Sequence, residues 1–87
     1  MSRILHILKE INQPEALAII AKQAKQSSQE LSILLIQEAV RLLPDLPVKV
    51  YVLEEDARTR GVASSFETIN YSKMLDLIFS SDSVVAW

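Results

Sequence analysis

Leu31-Ser32-Ile33-Leu34-Leu35-Ile36 constrains this chain more than any other stretch. The run is continuously apolar but for one small hydroxyl, so neither of its faces suits water. It reads as a strand covered on both sides, which calls for a layer above the sheet and another below it. The 87 residues supply one domain and not two, so residues 1–87 are read as a single unit.

The flanking sequence supplies the other parts. Arg3-Ile4-Leu5-His6-Ile7-Leu8 reads as a first strand and Val48-Lys49-Val50-Tyr51-Val52-Leu53, β-branched and aromatic, as a third. Phe66-Glu67-Thr68-Ile69 is a weaker fourth. Pro14 suits the first turn of a helix, where its missing N–H costs nothing. Behind it Leu17, Ile20, Ala21 and Ala24 recur at helical spacing and give that helix one core face. Gln37 to Leu43 can form only a short helix, closed off by Pro44 and Pro47. A last helix is predicted from about Ser72 to Ser81, and Val84-Val85-Ala86-Trp87 ends the sequence in extended form. Strands alternating with helical segments predict an α/β domain, a three-layer α/β/α sandwich with a four-stranded, mainly parallel sheet.

Composition excludes several functions. A net charge of −2 and a pI of 5.3 argue against direct nucleic-acid contact, which needs clustered Lys and Arg. The chain has no cysteine, which removes disulfides, thiolate metal ligands and a sulfur-carrying thiol together. With a single histidine, a zinc site would have to be built almost wholly from carboxylates. No metal or cofactor is expected. The longest apolar runs, ALAIIA and LSILLI, fall far short of the roughly 20 residues a membrane-crossing helix needs, and RILHIL is followed by Lys9 and Glu10 with no small-residue cleavage site. The expected location is the cytoplasm.

Apolar surface is in surplus. Hydrophobic residues make up 49% of the chain and its mean hydropathy is +0.20, much for so small a core. On the last helix Tyr71, Met74, Leu75 and Ile78 make one stripe, and Leu77 and Phe79 flank it on opposite sides. Together they span roughly 200° of a surface that needs an apolar stripe of only about 100°. Ile19 points away from the core face of the first helix. Two accounts are open: scattered exposed apolar side chains, which are ordinary, or a partner interface.

LEEDARTRGV, residues 53–62, holds the only glycine. It reads as a helical turn after the third strand, with Asp56 as its N-terminal cap, Arg58 and Arg60 towards the negative end of the dipole, and Gly61 in the left-handed position that ends it. Glu54, Glu55 and Asp56 point in different directions on such a turn, so a solvated cap is favoured over a catalytic pair.

PVKVYVLEEDARTRGV resembles the "KVYALxED…ARG" segment of the DsrH/TusB family of sulfur-relay proteins, within the wider DsrE/DsrF-like superfamily. ILHIL is similar to that family's "LHTL" opening, and Ser32 through Val40 to its "LLLLQDGV". Ile69-Asn70-Tyr71-Ser72 through Val85-Ala86-Trp87 is similar to "IDYxDF…MAW". Glu38-Ala39 stands where the family usually has Asp-Gly. The resemblance implies a strand order of 2-1-3-4, with a crevice between strands one and three rimmed by Lys9, Glu10, Glu54, Glu55 and Asp56. Ligands in open α/β sheets bind outside the carboxyl ends of the strands, but this rim is acidic and lacks a glycine-rich loop, so nucleotide binding is not expected. The resemblance further implies a heteromer with related DsrE/TusD-like and DsrF/TusC-like subunits that carry the sulfur-bearing cysteine.

The expected role is therefore a non-catalytic subunit of a TusBCD/DsrEFH-type complex, serving 2-thiolation of the tRNA wobble uridine. The alternatives are a free-standing homo-oligomer with a binding or regulatory task, or the same complex serving dissimilatory sulfur oxidation. An independent enzyme is not expected. Candidate interface residues are Ile19, Asp56, Arg60, Leu77, Phe79 and Trp87, with Trp87 packing either on its own domain or on another subunit. His6 and Gly61 are expected to be structural, His6 as a buried, hydrogen-bonded histidine within an apolar strand.

Overall fold

The computed structural model describes residues 2–26 and 28–87. In chain order the elements are β1 (Arg3–Leu8), α1 (Pro14–Lys25), β2 (Glu30–Leu35), a 3-10 helix (Gln37–Arg41), β3 (Lys49–Leu53), α2 (Glu54–Thr59), β4 (Glu67–Ile69), α3 (Tyr71–Ser80) and β5 (Ser83–Ala86). The strands form one parallel sheet in the order β4-β3-β2-β1-β5. The apolar run Leu31–Leu35 lies at its centre within β2, with Ile33, Leu34 and Leu35 fully buried. The α/β class and the layered architecture are as the sequence predicts.

Strand number and order are not. The sheet has five strands rather than four, and β3 pairs with β2, not with β1. The crevice expected between the first and third strands does not exist, because β2 fills that place. The physical reason is the link. Residues 36–48 hold one short 3-10 helix, too little chain to step over an intervening strand, so β3 lands beside β2. The extended C-terminal segment is itself β5, which joins the far edge of β1 in the register Leu5↔Val84 and His6↔Val85.

Successive steps from β1 to β4 run in one direction, and a right-handed crossover places their helices on one face. The return from β4 to β5 runs the other way, so α3 covers the opposite face. Side chains alternate accordingly. Leu8, Ile33, Leu35, Val50 and Val52 face α1, α2 and the 3-10 helix, where Ile20, Ala16, Ala57, Ala39 and Val40 complete a buried core. On the other face Leu5, Leu34 and Ile69 meet Met74, Leu77 and Ile78 of α3. The inward stripe of α3 is thus Met74-Leu77-Ile78, and not the predicted Tyr71-Met74-Leu75-Ile78. No residue of α3 is fully buried, so this face is the thinner one.

α2 ends as expected. Gly61 has φ +65°, its N–H donates to the Arg58 carbonyl at 3.1 Å, and the Val62 N–H donates to the Ala57 carbonyl at 2.8 Å. These two bonds satisfy carbonyls that would otherwise be left open at the helix end. A Cβ at position 61 would meet nothing within 4 Å, so only the left-handed backbone penalises a side chain there. Gly61→Ala is expected to lower stability by about 1 kcal/mol in urea unfolding; no change would mean that the turn relaxes freely.

Candidate functional site

The carboxyl ends of the strands are tied together by one polar cluster. Gln37, which opens the 3-10 helix and is separated from β2 by Ile36 alone, has φ +50°, a left-handed value rare outside glycine. Its N–H donates to Asp56 Oδ2 at 2.7 Å, so a carboxylate on α2 holds the strained turn in place. Asp56 is therefore not the predicted N-terminal cap. α2 begins at Glu54 with no side-chain cap, and Asp56 lies in its first turn, aimed at the neighbouring loop. The left-handed residue of this turn is Gln37, two positions before Ala39, which is buried in the core.

Arg60 closes the cluster. Its guanidinium donates to Glu38 Oε2 and, at 3.3 Å, to the Asp56 carbonyl oxygen. That contact holds the Glu38 carboxyl below its ordinary value, chiefly through the Arg60 hydrogen bond. The loop after β1 is equally committed, since Gln13 Oε1 accepts the N–H groups of Lys9 at 3.3 Å and Glu10 at 3.2 Å. The N–H groups of Lys9, Glu10 and Gln37 are thus already bonded, and Glu54, Glu55 and Glu38 line the same end of the sheet. This end is built as structure, with an acidic rim.

His6 is 1% exposed, on the α1 side of β1. Its Nε2 lies 2.8 Å from Gln23 Oε1, and its Nδ1 accepts the Trp87 indole N–H at 3.1 Å. Nε2–H therefore donates to Gln23, which fixes the neutral tautomer. The two rings stack with centroids 6.1 Å apart. Burial pushes the His6 pKa below the ordinary 6.5, opposed by the Gln23 bond. A lowered folded-state pKa means that the unfolded chain binds the proton more readily. The His6 contribution is thus complete above pH 6.5 and is lost as pH falls from there towards the folded-state value. Urea unfolding at pH 7.5 and pH 5 should show lower stability at pH 5, and His6→Phe should remove part of that difference.

The remaining predicted residues fall on separate surfaces. Trp87 is half-buried and packs on its own domain, tied to His6 and, through its backbone N–H, to the Ile7 carbonyl at 2.9 Å. Leu77 is half-buried in its own core. Asp56 and Arg60 are engaged with each other and with Gln37 and Glu38. Ile19 is exposed, but on α1, across the sheet from α3. Phe79 alone of the six stands fully out, at 83% exposure.

Phe79 is not isolated. Leu75 and Tyr71, each 48% exposed, precede it at steps of four and make one outward stripe along α3. The sequence count placed these two inside because α3 is apolar almost all round. A hollow of about 220 Å³ beside Tyr71 is lined by Leu53, Glu54, Glu55, Arg58 and Asn70. A larger one of about 670 Å³ lies at the amino ends of β2 and β3, among Glu30, Ser32, Lys49 and Tyr51. Neither brings a nucleophile against a base. Among the described residues no group of His, Asp and Glu converges on a metal-sized point, and no helix is long and apolar enough to cross a membrane.

Residues 1–70 match the TyeA family. The chain belongs to the TyeA family. The match spans β1 to β4 and stops at Asn70, whose side chain caps α3 by accepting the Lys73 N–H at 2.9 Å. The outward stripe and β5 of this TyeA-family chain thus lie beyond the matched segment. Among solved structures it is similar to the ychN protein from E. coli, with a TM-score of 0.82 and 16% identity over 100% of both chains. That likeness shows a shared fold. None of the curated protein sequences matches the chain.

Proposed function

We propose that this chain is a non-catalytic subunit of a sulfur-relay complex of the TusBCD/DsrEFH type, and that it supports sulfur transfer towards 2-thiolation of the tRNA wobble uridine. The observation that carries the reading is the Tyr71-Leu75-Phe79 stripe, a row of large apolar side chains in water on a chain with no thiol. Persulfide transfer moves the outer sulfur of one cysteine to the thiolate of the next and leaves the donor as a thiolate. A chain without cysteine can be neither donor nor acceptor, so its contribution is to hold subunits that are. The DsrH/TusB-like motifs spread along the chain support the same reading.

The partners would be DsrE/TusD-like and DsrF/TusC-like subunits, docked on α3. Co-expression with them, followed by mass determination of the native assembly, should give a stable heteromer. Phe79→Asp should prevent its formation without lowering the chain's own melting temperature, since Phe79 contributes almost nothing to the core. A wild-type chain that ignores those subunits would end this reading. Restoration of 2-thiouridine in a deletion strain would separate tRNA thiolation from sulfur oxidation.

A further inference from the structure

The two edges of the sheet are unlike. β4 is three residues long and carries Glu67, bridged to Lys49 at 2.9 Å. That edge is short and charged, as exposed edges usually are. β5 is Ser83-Val84-Val85-Ala86, with neither charge nor proline. It pairs with β1 on one side, and its other side faces no strand among the described residues. Nor is it covered: Val84 is 40% exposed, and Ser83 and Ala86 are exposed as well.

We propose that β5 pairs antiparallel with β5 of a second copy of this chain, joining two five-stranded sheets into one across a twofold axis. An unpaired strand edge is completed by another extended backbone, which supplies donors and acceptors at matching intervals. A second copy fits because identical edges meet like to like, and any charge on them would face its own kind. β4 would bring Glu67 towards Glu67, whereas β5 brings valine to valine. The faces also agree. Leu5↔Val84 and Ile7↔Ala86 put Val84 and Ala86 on the α3 side of the sheet, where α3 leaves them open. A twofold axis normal to the sheet joins those two open strips into one. The strand is already ordered, held beyond its end by the Trp87–His6 bond and before its start by the Asp82 N–H on the Arg3 carbonyl at 2.8 Å. Little conformational freedom remains to be lost on pairing.

This surface is distinct from the α3 stripe and stands without the relay reading. The test is sedimentation equilibrium of the purified chain over a range of concentrations. The wild type should be a dimer, and Val84→Lys and Val84→Glu should each weaken it by about tenfold or more, since like charges then meet near the axis. A one-to-one mixture of the two variants should restore pairing. Ser83→Lys, at another exposed position, should act like Val84→Lys, and circular dichroism should show native folding in each. Amide exchange in residues 83–86 should slow as the dimer forms. A wild type that stays monomeric at about 1 mM, where even a weak interface would register, overturns the proposal. So does a dimer that survives Val84→Lys and is broken by Phe79→Asp. Loss of the relay heteromer with the dimer intact would overturn the relay reading alone.

Discussion

Trp87→Ala is expected to cost about 3 kcal/mol of folding stability, much for a residue that is only half-buried. Two losses add. The ring leaves a void against the α1-side core, with which it packs, and the Nδ1 acceptor of His6 is left buried without its donor. Trp87→Phe separates them, because it keeps most of the ring and drops only the N–H; about 1–2 kcal/mol is expected. Both are read by urea unfolding followed by circular dichroism, since the sole tryptophan is the residue removed. If Trp87→Ala costs under about 1 kcal/mol, the indole is only resting on the surface.

Asp56→Ala is the second. The carboxylate accepts the Gln37 N–H at 2.7 Å and stands beside Arg60, and a bond to a charged acceptor contributes about 2 kcal/mol. Its removal leaves the left-handed Gln37 without a partner for its N–H, held by the turn bond from the Ala39 N–H to the Ile36 carbonyl at 3.0 Å. Gln37→Gly should recover about 1 kcal/mol in that background, because glycine adopts φ +50° without strain. A fully additive pair of substitutions would show that the carboxylate and the strained turn are independent.

The elements were legible because each carries a local signal. β2 is continuously apolar, Pro14 marks the start of α1, and Gly61 sits where only a left-handed turn fits. Strand order has no local signal, and the order implied by family resemblance was wrong. A clue was nonetheless present, since the short link between Ile36 and Val48 can reach only an adjacent strand. Leu77 and Phe79 read alike from their spacing, as flanks of one stripe, yet Leu77 packs inward and Phe79 stands out; Tyr71 and Leu75 were misplaced because α3 offers two apolar faces and periodicity cannot rank them. The Gln37–Asp56 contact was invisible for another reason. It joins residues 19 apart through a backbone N–H, and no residue type announces it.

The parallel pairing of β1 with β5 has a consequence for how the protein is made. β1 lacks its outer neighbour until residues 83–86 have been synthesised, after β2 to β4 and all three α-helices. Contacts so distant in sequence are slow to form. During that interval an apolar strand with an open flank is the nascent chain's main hazard, and a stalled or shortened product would present it permanently to whatever sticky segment comes near.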